Sequence, residues 1–113
     1  SIYCDLAFPG NPSYSSSKSG LNGLTRSLSY DLSKKKIRVN SLSAGYIKSN
    51  MTKKSYNNKI KRKKISGHTL LGRWGNSIEV AMPAIFLISN ASSYINGQNI
   101  IVDGGWSVKG FYQ

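Results

Sequence analysis

The sequence predicts an α/β fold with parallel strands that form part of a larger open sheet. Three observations carry this reading. Apolar residues recur at helical spacing in two segments, Leu21, Leu24, Leu28 and Leu32, then Ile78, Ala81, Ile85 and Ile88. Each segment is followed by a short run suited to a strand, Ile37 to Leu42 and Asn99 to Val102. The order helix, strand, long excursion, helix, strand separates the strands by a helical crossover, which makes them parallel. Two strands alone would leave both edges unpaired, so they belong to a bigger sheet.

The opening Phe8-Pro9-Gly10-Asn11-Pro12 is a loop by its turn residues. The first helix spans Ser13 to Ser33, with Ser13 as its N-cap and Lys34, Lys35 and Lys36 complementing its negative C-terminal end. The strand Ile37 to Leu42 ends at Ala44-Gly45. Residues 46 to 74 are polar, basic and weakly periodic, a long excursion with one short helix around Lys53 to Lys64; Gly72 and Gly75 punctuate its end. The second helix runs from Ser77 to Ser89, capped by Asn76 or Ser77 and favoured by Glu79 in its first turn. Pro83 lacks an N–H and clashes one turn back, which predicts a bend or a shortened start. A turn over Ser92 to Gly97 leads into the strand Asn99 to Val102, ended by Asp103-Gly104-Gly105.

Length and composition bound the function. A chain of 113 residues makes one small domain, and its ordinary glycine and hydrophobic content excludes a disordered or collagen-like chain. No apolar run is long enough to span a membrane. One cysteine, Cys4, and one histidine exclude an internal disulfide and a multi-cysteine metal site. The start lacks the pattern of a signal peptide, so the expectation is a soluble, cytoplasmic protein. The net charge of +12 is uneven: the stretch from Lys48 to Arg73 is rich in lysine and arginine and holds no acid. Such a surface attracts phosphate or simply decorates a solvated face. Aromatics do not interleave with Lys59 to Lys64 as a base-stacking surface would need, and no nucleic-acid partner is expected.

The chemistry points to Tyr14 and Lys18. Four residues apart on a helix, they share one face. An ammonium beside a phenol favours the phenolate, and a tyrosine so tuned can exchange a proton with an alcohol or a ketone. A second pair, Tyr30 and Lys34, has the same spacing, but it lies at the far end of the helix, where Lys34 serves the terminus. Tyr14 instead follows a loop, and the small Ser15, Ser16 and Ser17 let a ligand or another helix come close. In open α/β sheets ligands bind beyond the C-terminal strand ends, where Ala44-Gly45-Tyr46-Ile47-Lys48-Ser49 lies.

These residues resemble the short-chain dehydrogenases/reductases over nearly the whole chain. Tyr14-Ser15-Ser16-Ser17-Lys18 is similar to that family's active-site motif, and Ser1 precedes Tyr14 at a spacing its catalytic serine often has. Ile37-Arg38-Val39-Asn40-Ser41 resembles the strand after the active-site helix. Ala44-Gly45-Tyr46-Ile47-Lys48-Ser49 resembles the Pro-Gly segment ending in Thr, with Ala44 and Ser49 in place of Pro and Thr. Gly72-Arg73-Trp74-Gly75, Ser93-Tyr94-Ile95-Asn96-Gly97-Gln98 and Val102-Asp103-Gly104-Gly105-Trp106 continue the match. The resemblance implies the C-terminal half of a Rossmann-type doubly wound parallel sheet. It implies hydride transfer between NAD or NADP and a small-molecule carbonyl or alcohol, as in 3-oxoacyl reductases or sugar and polyol dehydrogenases. Tyr14 would be general acid/base. Lys18 would assist it and hold the nicotinamide ribose, and Ser1 would polarise the substrate oxygen. Gly45, Ile47 and Ser49 would meet the nicotinamide end, and residues 50 to 72 would form a mobile substrate lid.

The sequence has no Gly-x-x-x-Gly-x-Gly loop and no Asn-Asn-Ala-Gly segment, which in the family build the adenine and pyrophosphate site. The expectation is therefore a half-domain whose N-terminal nucleotide-binding half is absent. Alone it would be inactive, as a truncated fragment or as a split half needing a partner chain. By resemblance, the full-length protein would be a homo-oligomer, commonly a tetramer.

Overall fold

A computed structural model describes residues 1–109 of the chain. A 3₁₀ turn, Ile2–Cys4, precedes helix α1, Pro12–Ser33. Strand β1, Ser41–Ala44, leads to two short helices, α2 (Lys53–Asn57) and α3 (Lys59–His68). Helix α4, Ser77–Ile88, a second 3₁₀ turn, Asn90–Ser92, and strand β2, Asn99–Val102, complete the order. The strands pair in parallel, Ser41 opposite Asn99 and Ala44 opposite Val102. The α/β class, the parallel crossover and both long helices are as the sequence predicts.

Three boundaries differ, each for a local reason. The cap of α1 is Asn11, not Ser13: its side chain accepts the Tyr14 N–H at 3.3 Å. Pro12, with no N–H to lose and a φ suited to the first turn, starts the helix one residue earlier. The first strand begins at Ser41 rather than Ile37. The backbone before it is held by side chains: Asn96 Oδ1 accepts from Val39 N at 2.8 Å, and Asn40 Oδ1 accepts from Gln98 N at 3.0 Å. Arg38 donates to the carbonyls of Ile95, Leu87 and Ser89 at 2.8–3.1 Å, a cation set at the C-terminal end of α4. The excursion holds two helices where one is expected. Asn58 is extended (φ −74°, ψ 108°), breaking the run and capping α3 through Lys61 N at 2.9 Å.

Helix α4 is neither shortened at its start nor interrupted by Pro83, which forgoes the bond to the Glu79 carbonyl. Its start is fixed by Glu79, whose carboxylate accepts from Asn76 N at 2.8 Å and pairs in two-pronged fashion with Arg73 at 2.6 and 2.8 Å.

Among the described residues only Ile2 and Trp74 are buried apolar residues. Leu21 and Leu24 on α1 are about half exposed, as are Met82 and Ile85 on α4. The chain presents 8253 Å² to solvent, against roughly 6,100 Å² for a compact monomer of its mass. Its radius of gyration is 15.6 Å, where about 13 Å is ordinary for this length. The apolar faces that sequence periodicity marks as core are present but uncovered.

Candidate functional site

The site begins where the first 3₁₀ turn folds onto the start of α1. Ser19 Oγ donates to Cys4 O at 2.8 Å, and Asn22 Nδ2 donates to Asp5 Oδ1 at 3.2 Å, which ties the two elements together. Tyr14 stands in the first turn of α1, its residue 38% exposed. One turn later Lys18 folds back, its Nζ 5.2 Å from the Tyr14 ring centroid. The two side chains share a face, as their spacing requires. Ser1 caps the 3₁₀ turn, its Oγ accepting from Tyr3 N at 3.3 Å, so the hydroxyl proton stays free to donate.

The loop after β1 forms a second part. Gly45 lies so close to β2 that a Cβ there would meet the Asp103 Cβ at 2.6 Å and its Cα at 2.8 Å. Asp103 ends β2 and folds its carboxylate back on the following turn. Burial pushes that carboxyl up, but the hydrogen bonds from Ser107, Gly105 and Trp106 prevail and leave it below its usual value. The Ile47 carbonyl accepts from Thr52 Oγ1 at 2.6 Å, while the Ile47 N–H has no partner among the described residues. Ser49 closes a turn with Thr52, Ser49 N donating to Thr52 Oγ1 at 3.0 Å. A cavity of about 110 Å³ opens here, lined by Tyr46, Ile47, Val102 and Asp103 among others. Neither Tyr14 nor Lys18 lines it.

What joins the two parts is a row of aromatic rings that sequence reading misses. Tyr14 meets Tyr3 edge-on at 5.1 Å, and Tyr3 stacks on Phe8 at 3.7 Å. Phe8 meets Trp106 at 5.5 Å, and Trp106 meets Tyr46 and His68 at 5.4 and 4.2 Å. Tyr46 and Tyr56 each pack against Trp74 at 5.4 Å. Tyr46 is pushed up to about 12, chiefly by burial and then by the neighbouring Tyr3. Its phenol is held neutral in the middle of the row, and Tyr14 stands at one end. These residues come from five separated stretches with no common period, so no pattern in the chain announces them. The arrangement offers a partly open phenol with an ammonium beside it, a serine hydroxyl capping the 3₁₀ turn whose Tyr3 meets that phenol edge-on, and an unpaired backbone N–H beyond the strand ends.

Comparisons with known proteins show which family the chain and its fold resemble. A family model described as "Enoyl-(Acyl carrier protein) reductase" matches residues 1–107. The chain is 41% identical over 104 residues to the 2-dehydro-3-deoxy-D-gluconate 5-dehydrogenase of Dickeya dadantii, covering 89% of this chain and 41% of that protein. It is 44% identical over 97 residues to the 3-oxoacyl-[acyl-carrier-protein] reductase of Chlamydia muridarum, covering 86% and 38%. Its fold superposes with a TM-score of 0.90 on a gluconate 5-dehydrogenase from Burkholderia cenocepacia in complex with NADP and tartrate, at 31% identity, covering 96% and 42%. The chain therefore spans about two fifths of the length of the proteins it matches. Solved structures of this kind carry NADP or NADH.

Proposed function

The chain belongs to the short-chain dehydrogenase/reductase family, and from that premise we propose that it supplies the catalytic half of an NAD(P)-dependent oxidoreductase acting on a small carbonyl or alcohol. The observation that carries the reading is the Lys18 ammonium folded over the Tyr14 ring. When bound, the nicotinamide supplies or accepts the hydride. In reduction Tyr14 gives its phenolic proton to the substrate oxygen while the carbonyl carbon gains the hydride; in oxidation the proton returns to Tyr14. Lys18 stabilises the negative charge left on the phenol oxygen and holds the ribose hydroxyls. Ser1 donates its free hydroxyl proton to the same substrate oxygen, so that two donors meet the charge developing there. The donor set fits the cofactor: the unpartnered Ile47 N–H suits a carboxamide oxygen, with Gly45 and the Ser49 hydroxyl beside it.

The uncovered apolar faces favour one further point. The active species is the chain together with a glycine-rich nucleotide-binding half that completes the sheet, and the chain alone is inactive. Homo-oligomer assembly through α1 fits the exposed Leu21, Leu24 and Leu28. Among the described residues no helix is long and apolar enough to cross a membrane, and the reading places the protein in the cytoplasm. The test is reconstitution: the chain is joined to, or mixed with, a glycine-rich half from a family member. Absorbance of NADH and NADPH is then followed with oxo acids and sugars. Turnover by the assembled form, with less than about a hundredth of it from the chain alone, supports the reading. No turnover with any carbonyl by a folded assembly would contradict it.

A further inference from the structure

The charge between Lys48 and Arg73 has a place in the structure that the hydride-transfer reading does not use. Lys59, Arg62, Lys63 and Ser66 are spaced 3, 4 and 7 residues from the first, which sets them on one face of α3. That face borders an open cavity of about 470 Å³, whose other walls are Lys48, Tyr56 and Trp74. Lys48 Nζ and the Arg62 guanidinium both lie over the Tyr56 ring, 5.0 and 5.3 Å from its centroid, so the aromatic surface holds two cations toward one space. Arg73 also borders it but is matched by Glu79. Lys48, Lys59, Arg62 and Lys63 form no ion pair among the described residues. Trp74, 1% exposed, lies behind Tyr56 at 5.4 Å and backs that ring, and its indole N–H is buried with no hydrogen-bond partner among the described residues.

The geometry points to a binding site for a small organic acid: its carboxylate meets Arg62, Lys59 and Lys48, and its carbon skeleton rests on the Tyr56 ring. A guanidinium takes a carboxylate in two parallel hydrogen bonds, and neighbouring ammoniums add charge without demanding geometry. The aromatic wall distinguishes a carbon-bearing acid from a bare inorganic anion. One wall, Lys48, stands between Ile47 and Ser49, so the cavity opens beside the loop proposed to meet the nicotinamide. Resting on that proposal, the inference deepens it: the substrate is a hydroxy or oxo acid, and the segment from α2 to Trp74 selects it by charge.

The test uses the assembled protein, the chain joined to its nucleotide-binding half, with tartrate as probe and tryptophan fluorescence as readout. Tartrate is expected to give a saturable change that the neutral polyol erythritol does not. Lys59→Gln with Arg62→Gln should weaken tartrate at least about tenfold, by removing two charge-assisted contacts. Lys53→Gln with Lys61→Gln removes the same charge from residues that do not border the cavity and should leave tartrate within about twofold. A flat titration overturns the inference. So does equal loss in both double variants, which would show bulk charge rather than a site. Phosphate competing as strongly as tartrate, or a random DNA duplex displacing it, would reassign the cavity and equally overturn it. Because this binding needs no hydride transfer, its failure is distinct from failure of the Tyr14 chemistry, which Tyr14→Phe reports separately.

Discussion

Gly45 shows how a single residue can serve both the fold and the proposed site. Its backbone abuts Asp103, and the atoms a methyl would strike are the Asp103 Cβ and the main-chain Cα that carries it, which cannot swing away as a side-chain tip can. Gly45→Ala in the assembled protein is expected to cost about 1–3 kcal/mol in urea unfolding by forcing β1 and β2 apart. A change under about 0.5 kcal/mol would show that the strand ends yield freely. The spacing of Tyr14 and Lys18 makes their shared face legible from the sequence, because a helix dictates it. The clash at Gly45 is not legible, because Asp103 is remote in sequence and meets it only through strand pairing. The aromatic row from Tyr14 to Tyr56 is hidden for the same reason. Its rings lie on loops, on helices and after strands, and proximity in space leaves no period in the chain.

At the scale of elements, the start of α4 rests on one carboxylate. Glu79 is held down to about 2 from an ordinary 4.5, first by the hydrogen bonds with Arg73 and then by the backbone N–H of Asn76. A carboxyl whose folded value lies below its unfolded one adds stability that is present above about pH 4.5 and is lost as pH falls through about 2. Carbon-13 NMR of the Glu79 carboxyl should therefore show its midpoint near 2, and Glu79→Gln should remove that acid dependence while fraying the first turn of α4. A midpoint at the ordinary value would mean that the Arg73 pair does not persist in solution. The two long helices are legible because their leucine and isoleucine spacing reflects faces meant for burial. The strand boundary at Ser41 is not. Ile37, Arg38 and Val39 have the composition of a strand, yet the Ile37 N–H donates to Leu32 O, the Val39 backbone is engaged by Asn96 and Gly97, and the Arg38 guanidinium donates to Ile95 and the end of α4 instead of leaving a ladder to form. Propensity describes what a residue tolerates, and tertiary hydrogen bonding decides which of its options is used.

For the whole molecule the decisive quantity is surface. An excess of roughly 2,000 Å² over a compact monomer of equal mass, much of it leucine and isoleucine on α1 and α4, is the size of a substantial protein interface. Isolated, the chain should melt in a way that depends on its concentration, with a midpoint that rises as copies cover one another's apolar faces. A sharp, concentration-independent melt would show that it is sufficient alone. Joined to its complement, it should bring a phenol and an ammonium to a carbonyl oxygen, and that is the claim on which the rest depends. Stopped-flow reduction of an oxo acid by the assembled protein, monitored by the loss of nicotinamide absorbance in a single turnover, tests it most directly. Tyr14→Phe is predicted to slow that step at least about a hundredfold while NADPH binding stays within about twofold. A Tyr14→Phe protein that transfers hydride within about threefold of the parent rate would contradict the assignment of Tyr14 as the proton donor.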